Sequence, residues 1–151
     1  MQPRPRRYEN KIADILSERF VAMGLSPVQR IPVNGRRGPD LTINELGLVI
    51  DCKTRKEVPR SILVRKPTCF RGVYVAAPIV HFPQIEPEVA VDFYSEVVLG
   101  YLNHIAEICS ENQIPMIVLN KPNLWVSKSV FVIPSQYLEV FNDRIKRNRT
   151  A

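Results

Sequence analysis

The sequence predicts an α/β fold: one domain spanning residues 1–151, with helices flanking a mixed β-sheet and short basic N- and C-terminal tails. Three observations predict it. The chain has 151 residues, a usual size for a single domain, and 45% of them are hydrophobic, enough to build a packed core. Its periodic segments run helix, three strands, an insertion, helix, two strands, helix, which is the order of an α/β sandwich. Its apolar runs are short. None approaches the ~18 residues of a membrane span, and no apolar run follows the basic residues of Met1–Arg7 as it would in a secretion signal. The expectation is a cytoplasmic protein with no membrane contact.

Each element has its own signal. Tyr8 to Met23 reads as a helix because Ile12, Ile15, Leu16, Phe20 and Met23 recur at i, i+3, i+4 spacing. Gly24 then stands where a helix C-terminal glycine belongs, and Pro27 blocks continuation. Val28 to Val33 fits a short strand, and Asn34-Gly35-Arg36-Arg37-Gly38-Pro39 is a loop on composition. Asp40–Ile43 and Leu48–Lys53 are strand-like, with Asn44-Glu45-Leu46-Gly47 as a tight turn between them. Beyond a basic stretch, Gly72–Ala77 is a further strand, followed by a proline-rich loop. Asp92 to Glu111 reads as a helix with Phe93, Val97, Tyr101, Ile105 and Ile108 along one side. That stripe is expected in the core, as are Leu124 and Trp125. Pro115–Leu119 and Ser129–Ile133 are strands. A last helix opens at Pro134-Ser135-Gln136, with Ser135 as N-cap, and runs to about Arg147.

Charge and cysteines narrow the function. The net charge of +6 is unevenly placed: +8 over residues 1–71, −6 over 72–120 and +4 over 121–151. Basic segments of this kind suit a polyanionic partner. Cys52, Cys69 and Cys109 lie far apart, with no CxxC and only two histidines in the chain. Such a set fits neither a disulfide framework nor a zinc knuckle, so reduced thiols are expected.

The carboxylates and one lysine carry the chemistry. Asp51 and Lys53 stand two apart on a strand and so share a face, with Leu48, Ile50 and Cys52 on the other. Val49 precedes Asp51 on its own face, so the strand reads as buried along much of both sides, and charges at its end need a reason. If Glu45 and Leu46 form a two-residue turn, paired positions sum to 91 and Asp40 faces Asp51. If Gly47 instead takes the left-handed position of a three-residue turn, the sum is 92 and the two acids part unless a bulge intervenes. Directly opposed carboxylates repel, and a divalent cation between them relieves this. Glu9 lies on the stripe Glu9, Ile12/Ala13, Leu16, Phe20, and an acid early in a helix is also favoured by the helix dipole.

Gly38-Pro39-Asp40, ten residues, then Asp51-Cys52-Lys53 resembles the PD-(D/E)XK signature of metal-dependent nucleases, and the helix bearing Glu9 matches that superfamily's glutamate. The layout is most similar to the archaeal-type Holliday junction resolvases, small dimers that cut four-way DNA junctions. The matching parts are Arg6-Arg7-Tyr8-Glu9, Gly35-Arg36-Arg37-Gly38, Lys53-Thr54-Arg55-Lys56 and, later, Ile117–Pro122 with Val130–Pro134. The resemblance covers residues 6–56 and 114–141. It departs at Asp51, where those resolvases usually carry Glu, and in the greater length of residues 57–90.

The resemblance implies a restriction-endonuclease-like sheet and a catalytic set of Glu9, Asp40, Asp51 and Lys53. It implies Mg²⁺ or Mn²⁺ held by Glu9, Asp40, Asp51 and the Cys52 backbone carbonyl. DNA would be contacted through Arg6, Arg7, Arg36, Arg37, Arg55, Lys56 and Arg60, with Arg65, Lys66 and Arg71 following. Arg4 and the C-terminal Arg144, Lys146, Arg147 and Arg149 are further candidates for DNA-contacting tails, or else ordinary frayed ends. A homodimer acting on branched DNA is expected, cytoplasmic or phage-encoded and acting in a host cytoplasm. The rivals are another PD-(D/E)XK endonuclease of restriction, repair or phage DNA processing, a non-catalytic DNA-binding module on the same fold, and an RNA-binding scaffold.

Overall fold

The computed structural model describes residues 4–22, 29–30, 41–54, 74–85, 91–93, 95–122 and 124–150. Helices α1 (Arg4–Ala22), α2 (Glu96–Ala106) and α3 (Leu138–Thr150) accompany strands β1 (Gln29–Arg30), β2 (Leu41–Ile43), β3 (Leu48–Thr54), β4 (Tyr74–Pro78), β5 (Val91–Phe93), β6 (Ile114–Asn120) and β7 (Val130–Pro134). The strands form one mixed sheet in the order β1-β2-β3-β6-β7-β4-β5, parallel between β3 and β6 and antiparallel elsewhere. The two outermost strands are short. Among the described residues no helix is long and apolar enough to cross a membrane.

Helices cover both faces of the sheet. Along α1, Ile12, Leu16 and Phe20 repeat every four residues and are fully buried, with Tyr8 and Ala13 beside them. They pack with Leu48, Ile50 and Cys52 of β3, Met116 and Val118 of β6, and Phe141 and Ile145 of α3. On the opposite face Val98 and Leu102 of α2 pack on Ile117 and Leu119 of β6 and on Val130 and Val132 of β7. Phe82 anchors the first core, meeting the rings of Phe20 and Phe131 edge-on at 5.3 and 4.9 Å and that of Phe141 at 6.1 Å. The Phe82 carbonyl also accepts from Arg19 Nε at 2.8 Å, tying α1 to the segment that follows β4.

The β2–β3 hairpin resolves the register. Leu41 pairs with Ile50, Thr42 with Val49 and Ile43 with Leu48, so paired positions sum to 91. Gly47 nonetheless takes the left-handed conformation, at φ +64°. Both hold because a 3₁₀ turn over Asn44–Leu46 precedes Gly47, making a four-residue connection instead of two or three. The Gly47 carbonyl accepts from the Ile114 amide at 2.7 Å, which fixes where β6 enters the sheet.

Four expectations need correction. The helix expected from Asp92 to Glu111 is shorter: Val91–Phe93 form β5 by pairing with Tyr74–Ala76, and Ser95 caps α2 by accepting from the Val98 amide at 3.4 Å. Phe93 therefore contributes nothing to a helical stripe, and the buried side of α2 is Val98, Leu102 and Ile105. Ile105 of the expected stripe is buried, but Val98 and Leu102 take the other inward positions, so Val97 and Ile108 are 36% and 40% exposed. Ser135 makes no side-chain cap, because β7 runs to Pro134 and a 3₁₀ turn over Ser135–Tyr137 leads into α3. Leu124 and Trp125 are exposed, and it is Val126 of that connection that packs inward. Arg4–Arg7 and Arg144–Arg149 belong to α1 and α3 and are not tails.

A Cβ on Gly47 would strain the left-handed backbone, press on the Arg144 guanidinium and lie 3.1 Å from the Asn112 carbonyl. Gly47→Ala is expected to lower stability by about 1–2 kcal/mol, read as a shift of the urea midpoint at unchanged slope.

Candidate functional site

β3 runs through the middle of the sheet, and its residues from Leu48 to Cys52 are all buried. Asp51 pairs with Ile117 and Lys53 with Leu119, so both charged residues stand on the face covered by α2. Asp51 is only 5% exposed. An ionised carboxylate at such depth is costly unless a cation stands beside it. Lys53 Nζ supplies that cation 3.2 Å from Asp51 Oδ2. The same ammonium lies 5.6 Å from the centroid of the Tyr101 ring on α2, a cation–π contact that also shields it. The pair sits toward the carboxyl ends of the parallel strands β3 and β6, where open α/β sheets gather their ligands.

A second polar group occupies the other face at the same end of the sheet. The Tyr8 hydroxyl shares a 2.8 Å hydrogen bond with Ser129 Oγ, and Ser129 is fully buried. Burial pushes the Tyr8 hydroxyl well above its ordinary range, an effect the Ser129 hydrogen bond partly offsets. The Cys52 side chain is buried on this face. Asn120, the last residue of β6, is paired with Thr54; its Nδ2 donates to the Trp125 carbonyl at 3.0 Å and its Oδ1 accepts the Lys121 amide at 2.8 Å. Tyr8, Ser129 and Asn120 are site-end residues that the motif does not include. A signal for two of them lies in the sequence, since Tyr8 continues the four-residue spacing of Ile12, Leu16 and Phe20, and Asn120 closes an otherwise apolar run.

The expected site residues fare unevenly. Asp51 and Lys53 come together as their spacing predicts. Cys52 lies between them in β3, beside Val118 of β6. Glu9 rides on α1, which packs on the Cys52 face of the sheet, so its helix and the Asp51–Lys53 pair stand on opposite faces; the Glu9 side chain lies outside the described residues. Arg6 and Arg7 are in α1 with their side chains likewise outside. Asp40, Arg36, Arg37, Arg55, Lys56 and Arg60 lie outside the described residues altogether. Arg144 supports the fold instead. Its Nη1 donates to the Leu46 carbonyl at 2.9 Å, at the hairpin end of the sheet. That end is six residues of β3, roughly 20 Å, from Lys53.

Chemically the described site offers one buried carboxylate, a donor suited to hard cations such as Mg²⁺ or Mn²⁺, and one ammonium suited to a phosphate. Among the described residues no three His, Cys, Asp or Glu side chains cluster as a metal site.

Two measurements test this electrostatic picture. Lys53→Met leaves the Asp51 charge buried and is expected to cost about 1–3 kcal/mol; adding Asp51→Asn should recover part of that loss in a double-mutant cycle of urea midpoints. Tyr8 holds its proton more tightly folded than unfolded, so its contribution is complete below about pH 10 and fades as pH rises beyond it. Tyr8→Phe should therefore flatten the fall in stability between about pH 10 and 11, read by denaturant titration at each pH.

Comparison with protein-family models, curated proteins and solved structures finds no match to this chain.

Proposed function

We propose that the chain is a metal-dependent endodeoxyribonuclease of the PD-(D/E)XK type, acting on branched DNA such as a four-way junction, with a restriction-endonuclease-like version of the mixed sheet as its scaffold. The observation that carries this reading is the buried Asp51–Lys53 pair on one face of the central strand. A carboxylate and an ammonium held 3.2 Å apart, near the carboxyl edge of a parallel strand pair, suit a cation and a phosphate side by side. Two further observations support it: the 91 register of the β2–β3 hairpin is the one under which Asp40 opposes Asp51, and the +8 balance of residues 1–71 suits a polyanion.

Asp51 and Asp40, with the Cys52 carbonyl, would hold Mg²⁺ or Mn²⁺; Glu9, on the helix that packs on the other face of the sheet, is left out of this set. Such an ion, when bound, polarises a phosphate and lowers the pKa of an attacking water. The residues of the chain do the rest. Lys53 stands as the counter-charge beside the buried Asp51 carboxyl. Its ammonium has three donors; one is directed at Asp51, and the others are available to a phosphate oxygen or to the attacking water, where they stabilise charge as the phosphorus–oxygen bond breaks. Hydrolysis leaves a 5′-phosphate. Arg36, Arg37, Arg55, Lys56 and Arg60 hold flanking phosphates, with Arg6 and Arg7 at the start of α1, and affinity falls steeply with salt. Two such sites in a homodimer place paired nicks in a symmetric junction.

A second reading is favoured by one observation. Because α1 packs on the face away from Asp51 and Lys53, the chain could bind DNA on this fold without cutting it.

Cleavage of a labelled four-way junction and a matched linear duplex, with Mg²⁺ or EDTA, separates these. Metal-dependent nicking confined to the junction is expected, with Asp51→Asn and Lys53→Ala each slowing it at least about 100-fold while DNA binding persists. Undiminished cutting by either variant refutes the site. Equal cutting of duplex removes the junction preference, and binding without cutting under any metal leaves the binding module.

A further inference from the structure

Trp125 is the single tryptophan of the chain, and it is 80% exposed. Scattered apolar residues on a surface are ordinary, but an indole presented so fully to water, beside an exposed Leu124, is not. Its backbone is firmly held. The Trp125 carbonyl accepts two hydrogen bonds, from Asn120 Nδ2 at 3.0 Å and from the Lys128 amide at 2.9 Å. Asn120 is itself buried and also takes the Lys121 amide, so one side chain fixes both ends of the 120–125 connection. A 3₁₀ turn over Val126–Lys128 follows, with Val126 packed on the core. The fold thus pins the peptide and points the ring outward.

Position and charge say what the ring meets. The connection leaves β6 at Asn120, opposite Thr54, and re-enters as β7 at Val130, whose partner Leu119 is the partner of Lys53. Trp125 therefore belongs to the same carboxyl-end rim as Asp51 and Lys53. Lys121 and Lys128 bracket it, and no acidic residue occurs between Lys121 and Glu139. An exposed aromatic residue on an anchored backbone, flanked in the chain by two lysines, suits a nucleic-acid strand, whose bases stack on the ring while phosphates meet the lysines.

We propose that Trp125 is a stacking platform for an unpaired base of a DNA strand, with Lys121 and Lys128 on the adjoining phosphates. This deepens the nucleic-acid reading above, on which it rests. It names a contact outside the Asp51–Lys53 site, on the β6–β7 connection.

The lone tryptophan is its own reporter. A short dT oligonucleotide and an abasic strand of equal length are titrated against the 151-residue chain in EDTA, following tryptophan emission, with anisotropy of labelled strands for the Trp125→Ala and Trp125→Phe variants. The proposal expects quenching by dT and little by the abasic strand. It also expects dT affinity about 5- to 100-fold weaker in Trp125→Ala, a smaller loss in Trp125→Phe, and abasic affinity unchanged in both. Trp125 is exposed, so matching thermal unfolding of the variants is expected. Equal dT affinity in Trp125→Ala overturns the proposal, as does equal quenching by both strands. An emission shift that follows protein concentration without DNA overturns it in favour of a second copy of the chain. The two readings fail separately: junction cleavage without base-dependent quenching removes the platform and keeps the nuclease, whereas quenching that survives in Asp51→Asn, with no cleavage by the wild type under any metal, keeps the platform and removes the nuclease.

Discussion

The strand β3 is covered on both faces, and the arrangement of the molecule follows from that constraint. A strand alternates its side chains, so whatever each face carries is decided by residue parity. Even positions Leu48, Ile50 and Cys52 meet α1, while Asp51 and Lys53 at odd positions face the α2 layer. A charge placed at depth by this alternation requires a counter-charge on the same face, and the next residue able to provide one is two positions on. The Asp51–Lys53 contact is thus both the condition for burying the strand and the chemical feature of the site.

The two ends of β3 are specialised differently. At its start, Gly47, the Asn44–Leu46 turn, Ile114 and Arg144 close the hairpin through backbone carbonyls, and Asn148 Nδ2 adds a bond of 3.2 Å to the Glu45 carbonyl. These contacts set the register and bind α3 to the sheet. At its finish, side chains take over: Lys53 toward Tyr101, Asn120 toward the Trp125 carbonyl, and Tyr8 toward Ser129. Chemistry and a presented aromatic ring are concentrated where strand pairing ends, which leaves the paired interior free to be apolar.

The aromatic cluster around Phe82 explains how a segment following the basic insertion comes to be well placed. Phe82 contacts rings from α1, β7 and α3 at once, and the Arg19 bond to its carbonyl fixes the backbone. The adjoining turn over Ile79–His81 is joined to the β6–β7 connection by the Ile79 amide, which donates to the Ser129 carbonyl at 2.8 Å. The mount of Trp125 is thereby coupled to the largest apolar core, so the ring stands on a stiff base even though it faces water.

Local period was enough to specify the class of fold, the existence of most elements, and the shared face of Asp51 and Lys53. The evidence for these lies in the four-residue spacing of Ile12, Leu16 and Phe20 and the two-residue spacing along Leu48–Lys53. Packing between distant segments chose among the outcomes that period leaves open. It selected register 91 over 92, because a four-residue connection accommodates both a left-handed Gly47 and the 91 pairing. It turned Val91–Phe93 into a strand by offering the edge of β4, and it set Val98 and Leu102 beside Ile105 on the buried side of α2 in place of Val97 and Ile108. It put α1 on the Cys52 face and brought Tyr8 to Ser129, 121 residues apart. It exposed Trp125, since backbone hydrogen bonds to Asn120 and Lys128 outweighed the burial that an apolar residue favours in isolation. Such outcomes depend on which surfaces meet, and residue spacing carries no record of that.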